Sequence, residues 1–396
     1  MKIERIILYT VLALAIPIIS NIIKPGNVGV PLLISGIILL YLAYCLYMSK
    51  QYEDLNGKIL LKVWMGILFL GSLRALALNY TSFNGVRDSL LSFLNISIVL
   101  CVFIGNIWNL KTYLKSFLII MIPCAVFSAL SWKSYGLTDV AHILYPISLF
   151  LLLLPYVTRK MKMLILAIAI ISFFYDVSIR SNIFLLGGTL VFVFIYYISE
   201  KHTTLRYRRL VWLTFLILPF TLLFLGILGK YNIFKELMSS DIQIEVSGSK
   251  NRNNYLTDSR TMVYVDVLNS INGIDGWLLG YSPVSKIKTE MSKNNSDYKM
   301  GRNSTECGFL NILYYYGVIG ILCFLFIIIY SSYLGLFKSN NKLVMMIGLY
   351  VAFKFFFMFL EEPNISMPTY FAIGVCLNSN FREMSDEQIV DILMYG

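Results

Sequence analysis

The chain is built from apolar runs long enough to cross a bilayer as helices, and no other feature constrains its fold as strongly. A spanning helix takes about 20 mostly apolar residues. Twelve such runs can be marked, at 6–23, 28–48, 59–78, 89–108, 117–132, 143–157, 163–179, 183–199, 210–229, 309–334, 343–360 and 367–380. In lipid every backbone N–H and C=O must be satisfied inside the protein, which favours helices for runs of this kind. The composition agrees: 58% of the residues are apolar and 14% charged, against about 25% charged in a soluble domain. So few charges could not cover so much apolar surface in water. Soluble enzymes, DNA-binding proteins and fibres are therefore set aside. The expected fold class is an all-α polytopic membrane protein with about twelve transmembrane helices and one large extracytoplasmic loop.

The formal net charge of +11 is read by position and not as a nucleic-acid signal. Lys and Arg accumulate on the cytoplasmic side because they resist translocation. With the N-terminus inside, the inner connections hold Lys50 and Lys58; Lys111 and Lys115; Arg159, Lys160 and Lys162; Lys201, Arg206, Arg208 and Arg209; and Lys338 and Lys342. The short outer ones hold Lys24, Arg87, Lys133 and Arg180. Both termini are then expected in the cytoplasm. Lys2 and Arg5 precede the run Ile6–Ile23, which is longer than a signal-peptide core and lacks a small-x-small cleavage site, so it reads as the first span. The expected divisions are spans one to nine (1–229), a large outer loop (230–308), spans ten to twelve (309–380) and a cytoplasmic tail (381–396).

The outer loop of 79 residues holds ten Lys/Arg and nine Asp/Glu. Long connections in compact proteins are commonly functional. Within it, apolar residues at 263, 267, 268 and 271 predict an amphipathic helix over 260–271. The sequence has no GxxxxGK[ST], GxSxG or DxD signature. The cytoplasmic connections are too short for a nucleotide-binding domain, so chemistry is expected on the outer face. His142 and His202 stand far apart, and no CxxC pair is present, so no metal site and no cofactor are expected.

An ionisable residue near membrane depth is costly to keep and is a functional candidate for that reason. Asp176 and Arg180 stand four apart at the outer end of a span, where they could pair on one helix face; Arg180 could equally snorkel to the headgroups. Arg260 opens the amphipathic helix and could grip a phosphate bidentately, or be a solvated loop charge. Glu306 precedes the span 309–334 at the membrane boundary. A carboxylate there suits a general base, or simply complements the helix dipole. Arg302 lies close to Glu306. His142 could relay a proton, and Arg74 sits a turn inside the outer end of span three. Lys354, inside span eleven, is expected to face a neighbouring helix or a cavity. The run Tyr314–Tyr316 reads as an outer aromatic belt, and Glu361 and Glu362 as a solvated pair.

Two segments and the topology resemble the O-antigen polymerase and O-antigen ligase superfamily. Val177-Ser-Ile-Arg-Ser-Asn182 looks like the family's S-R-[ST] at a helix end. Asp258-Ser-Arg260, Gly276-Trp-Leu-Leu-Gly-Tyr281 and the stretch Ser304 to Gly320 look like its Arg-led helix, glycine turn and E-x-x-x-L…G-x-x-G pattern. Glu306 stands near where ligases carry a catalytic His, which favours polymerase over ligase. Neither Arg180 nor Arg260 has Gly eleven residues later, so these two arginines do not form the paired R-x10-G repeats described for some polymerases.

The resemblance implies a polymerase of the bacterial inner membrane that joins glycans carried on undecaprenyl diphosphate into O-antigen, capsule or exopolysaccharide. In that implied reaction Arg180 and Arg260 hold the diphosphate and Glu306 is the base. Arg302, Asp176, His142 and Arg74 line the substrate. Membrane lipids, a chain-length regulator and a flippase would be its partners, and nucleic acid would not. The competing classes are a lipid-linked oligosaccharide flippase, an O-antigen ligase and a membrane acyltransferase, the last wanting a His or Ser site that His142 alone could supply.

Overall fold

The computed structural model describes residues 3–23, 29–48, 55–81, 83–130, 140, 143–175, 180–198, 205–227, 259–288, 305, 307–359 and 366–394. The described chain is all-helical, with no strand among these residues. Six helical stretches in it are long and apolar enough to cross a membrane: Ile3–Ser20, Lys58–Asn79, Gly85–Ile104, Ile107–Leu130, Leu205–Leu225 and Gly308–Phe337. Shorter apolar helices cover Val30–Leu42, Ile183–Tyr196 and Met367–Leu377. This is a helical, membrane-embedded protein.

In chain order the first helices are α1 (Ile3–Ile23), α2 (Gly29–Met48), α3 (Lys58–Asn79), α4 (Phe83–Ser92), α5 (Leu94–Val99) and α6 (Ile107–Leu130). Then come α7 (Ile147–Leu151), α8 (Arg159–Tyr175), α9 (Arg180–Ile198) and α10 (Leu205–Ile227). Two short helices follow, α11 (Ser259–Ser270) and α12 (Gly273–Leu279). The last five are α13 (Gly308–Phe337), α14 (Lys342–Phe357), α15 (Met367–Leu377), α16 (Ser379–Glu383) and α17 (Asp386–Met394).

The core forms where α13, α14 and α15 pack on one another, with α3 and α6 against them. Every residue of α15 is buried, which is why its sequence is apolar all round. Small residues let these helices approach closely. A Cβ on Gly348 would stand 2.9 Å from the Gly335 carbonyl carbon, and one on Gly105 2.4 Å from the Phe371 carbonyl oxygen. The indole N–H of Trp64 on α3 donates to the hydroxyl of Tyr370 on α15 at 2.9 Å, both rings fully buried. The outward sides of α3 and α10 carry Leu70, Leu78, Leu210 and Phe224 in exposed positions, the apolar surface that lipid would cover.

The structure departs from the expected spans at particular places. Residues 143–157 do not form one helix: α7 is a single turn and a half, followed by a 3-10 turn at Leu154–Tyr156. Pro146 and Pro155 remove amide donors there, and the segment from Ile147 to Leu153 is buried throughout. The fourth run begins earlier, at Phe83, passes from α5 into a 3-10 turn at Leu100–Ile104 and stops at Asn106. Asn106 then caps α6 by accepting the Asn109 amide at 2.7 Å. The stretch after Leu377 turns back instead of continuing a span. Asn341 Nδ2 donates to the Phe381 carbonyl at 2.7 Å, and the Asp386 carboxylate accepts the Lys342 amide at 2.7 Å. With Ile389 and Leu393 buried, α17 is docked onto the bundle.

These contacts give the molecule two ends. At one lie Lys58, Lys338, Lys342 and the α10 start with Arg206, Arg208 and Arg209; we call it the basic end. The other holds the start of α13 and the close of α14.

Candidate functional site

The end opposite the basic one is built from three knots of hydrogen bonds. The first follows from the glycines of Gly276-Trp-Leu-Leu-Gly-Tyr281. α12 closes on Gly280 at φ 67, and α13 is interrupted at Gly317, also at φ 67. L side chains rarely adopt this conformation. Here it lets two backbones touch: a Cβ on Gly317 would stand 2.3 Å from the Leu278 carbonyl oxygen, and one on Gly280 2.6 Å from the Gly317 nitrogen. Across this crossing the Tyr281 amide donates to the Tyr314 carbonyl at 2.9 Å, and the two rings lie 5.0 Å apart. Arg74 of α3 donates from Nη1 to the Gly280 carbonyl at 2.5 Å, so α3, α12 and α13 meet there.

The second knot sits at the start of α13. The Asn311 carboxamide accepts the Thr305 amide at 2.7 Å and donates back to the Thr305 carbonyl at 3.0 Å. The Thr305 hydroxyl donates within the same knot, to the Cys307 carbonyl or Asn311 Oδ1, both at 2.8 Å. Thr305 and Cys307 are 2% and 4% exposed, so the two residues flanking Glu306 are held tightly in the protein.

The third knot gathers around the close of α14. The Met358 carbonyl accepts the Phe309 amide at 3.3 Å and the Cys307 thiol at 3.5 Å. The next carbonyl, of Phe359, accepts the Tyr264 hydroxyl of α11 at 3.0 Å. The helix that carries Arg260 and Cys307, the neighbour of Glu306 in sequence, are thus anchored to two successive carbonyls. α11 lies with Val263, Val267 and Ile271 buried, the face its sequence pattern predicts.

Of the expected site residues, Arg74 is the one whose side chain is described, and it binds backbone. Arg260 is the second residue of α11 and Arg180 the first of α9; their side chains lie outside the described residues. α9 packs on α14, with Phe192 and Phe353 rings 5.3 Å apart and Gly188 against Phe353. From Gly188 back to Arg180 is about 12 Å of helix, which carries Arg180 to the Met358 end. Glu306, Arg302, Asp176 and His142 lie outside the described residues, as do Glu361 and Glu362.

The structure corrects the expectation for Tyr314–Tyr316. Tyr314 and Tyr316 are buried, and Tyr314 donates to the Lys286 carbonyl at 2.9 Å. They are packing residues beside the glycine crossing, where the Tyr314 ring lies 5.0 Å from that of Tyr281. Asn311, Tyr281 and Thr305 were missed by sequence reasoning. Asn311 inside an apolar span was the available signal, since a buried amide requires partners.

One turn before Met358, Lys354 is 1% exposed. Its ammonium donates to the Tyr145 hydroxyl and lies 3.9 Å from the centre of that ring, facing a neighbouring segment as its sequence position suggested. Tyr145 also lines an apolar cavity of about 240 Å³, shared with Val11, Phe117, Met121 and Met367. The cavity lies toward the same end, beside the start of α15. Among the described residues no group of His, Cys, Asp or Glu is placed to hold a metal.

No protein-family model, no curated protein and no solved structure matches this chain.

Proposed function

We propose that the chain is a polysaccharide polymerase of the bacterial inner membrane. It would span the membrane about twelve times, with both termini cytoplasmic and the 230–308 loop outside. It would join oligosaccharide units carried on undecaprenyl diphosphate. The observation that supports this reading best is the shared anchorage on Met358 and Phe359 of the helix bearing Arg260 and of Cys307, which follows Glu306 in sequence, at the end remote from the basic one. A reaction that loses diphosphate needs cations and a base near one another, and this anchorage brings their carriers together.

In the proposed reaction a sugar hydroxyl of the acceptor attacks the anomeric carbon of the donor. The new glycosidic C–O bond forms as the bond to diphosphate breaks, and the diphosphate leaves with the electron pair. Glu306 takes the hydroxyl proton. Arg180 and Arg260 neutralise charge as it develops on the leaving oxygens. The cavity beside Tyr145 has room for a stretch of hydrocarbon from such a lipid. Since the donor carries its own leaving group, no further energy source is needed.

A flippase for lipid-linked sugars is the second reading, favoured by Lys354, a buried cation within the bundle. Saccharide laddering in a deletion strain separates the two: loss of a polymerase leaves single repeat units, and loss of a flippase leaves none. Complementation with Glu306→Gln at matched membrane levels should cut the rate roughly 10²–10⁴-fold while the protein still inserts. A normal ladder from this variant removes Glu306 as the base.

A further inference from the structure

α12 carries a run of exposed apolar residues that the proposed reaction does not use. Trp277, Leu278 and Leu279 all face outward, just before the turn at Gly280 whose carbonyl accepts Arg74 Nη1 at 2.5 Å. Arg74 is itself exposed. It belongs to the outward side of α3, where Leu70, Leu73 and Leu78, each within four residues of it, are exposed too. Its bond therefore brings the close of α12 to the flank of α3 that lipid would cover, and not to the side where Trp64, Leu68 and Ser72 are buried. The depth is that of a membrane surface. α12 crosses α13 at Gly317, and from Gly317 to Lys338 at the basic end is about 30 Å of helix, one hydrocarbon thickness. Arg74 stands about 24 Å along α3 from Lys58, and its long side chain covers the remaining rise to Gly280. A second cation lies near that level. Lys286, whose carbonyl accepts the Tyr314 hydroxyl within a turn of Gly317, is exposed.

We propose that the close of α12 is seated in the lipid leaflet opposite the basic end, with Trp277, Leu278 and Leu279 at the level of the first acyl carbons and the Arg74 guanidinium on a phospholipid phosphodiester. Among the described residues no carboxylate pairs with Arg74. One of its nitrogens is committed to Gly280, and the outward donors are left to meet phosphate oxygens. Trp suits the membrane–water boundary because its ring is amphipathic. Ile274 and Asp275, at the other end of α12, stay at the aqueous edge. A lipid surface is favoured over a second protein because the exposed run is continuous with the apolar flank of α3 and is bordered by cations at headgroup depth. This seat would fix the segment that follows α11 against the membrane, whatever reaction the chain performs.

The test uses the full-length protein in liposomes of phosphatidylglycerol and phosphatidylethanolamine, with photoreactive p-benzoylphenylalanine placed in turn at Leu278, Ile274 and Leu70. After irradiation, intact-mass spectrometry reads the adducts. Leu278 should give phospholipid adducts at a yield near that of Leu70, and Ile274 a small fraction of it. Arg74→Gln keeps a donor for the Gly280 carbonyl and removes the charge. It should lower the Leu278 yield roughly threefold or more and leave the Leu70 yield unchanged. If Arg74→Gln fails to fold, the comparison of Leu278 with Ile274 decides. No lipid adduct at Leu278, a crosslink from there to a second copy of the chain, or a yield no higher than at Ile274 would overturn the proposal. A Leu278 yield that ignores Arg74→Gln would overturn the role given to Arg74.

Discussion

Asn311 accepts the Thr305 amide and donates to the Thr305 carbonyl, and one carboxamide thereby fixes the residue that precedes Glu306. Asn311→Ala would leave the buried Thr305 amide and carbonyl without their partner, at a cost of about 1–3 kcal/mol. Thermal melting in detergent should show that loss, with activity falling further than stability alone explains. Activity that simply tracks the folded fraction would mean the turn's geometry does not matter to the chemistry. At Arg260 and Arg180 the proposal rests on the planar fork of the guanidinium. Lys keeps the charge and loses the fork, so Arg260→Lys and Arg180→Lys should be nearly as damaging as Ala. Full ladders from the Lys variants would reduce both residues to a general positive field.

Among the elements, the crossing of α12 over α13 makes the sharpest demand on sequence. Gly317→Ala adds a Cβ at φ 67 that would stand 2.3 Å from the Leu278 carbonyl oxygen. Backbone must shift, so a loss of several kcal/mol is expected, on the order of an overpacked core. Gly66, which has open space around its Cβ direction, should accept Ala with little change. Comparing the two melting temperatures checks this, and a Gly317→Ala protein as stable as Gly66→Ala would contradict the crossing. How much of this was legible depends on the kind of signal. The face of α11 was readable because Val263, Val267 and Ile271 recur at helical spacing. The positions of Gly280 and Gly317 were visible, but their contact was not, because pairing between distant segments leaves no local pattern. The run 143–157 misled because its hydropathy matches a span, while Pro146 and Pro155 give the backbone another course. The candidate site was legible in part: α11 begins beside Arg260 as expected, whereas Arg180, expected at the end of the preceding span, opens α9. The carbonyls of Met358 and Phe359 that join them have no side-chain signature.

For the whole molecule, the two-ended layout makes a topological prediction. Ile274 is exposed on α12 near the glycine crossing, and Lys338 is exposed at the basic end. With a membrane-impermeant thiol reagent on spheroplasts, Ile274→Cys should label directly and Lys338→Cys after permeabilisation. The reverse pattern would invert the orientation and remove the site from the outer face. The Trp64–Tyr370 bond has a consequence for biogenesis. Its partners are 306 residues apart, so at a synthesis rate of roughly 5–20 residues per second the indole enters the bilayer about 15–60 s before its acceptor is made. The helices that form the centre are the last to be translated. Their predecessors must wait at the insertion machinery with small and polar faces turned to lipid, and ribosome pausing or a holding factor late in translation would govern the yield of folded protein more than the stability of any early helix.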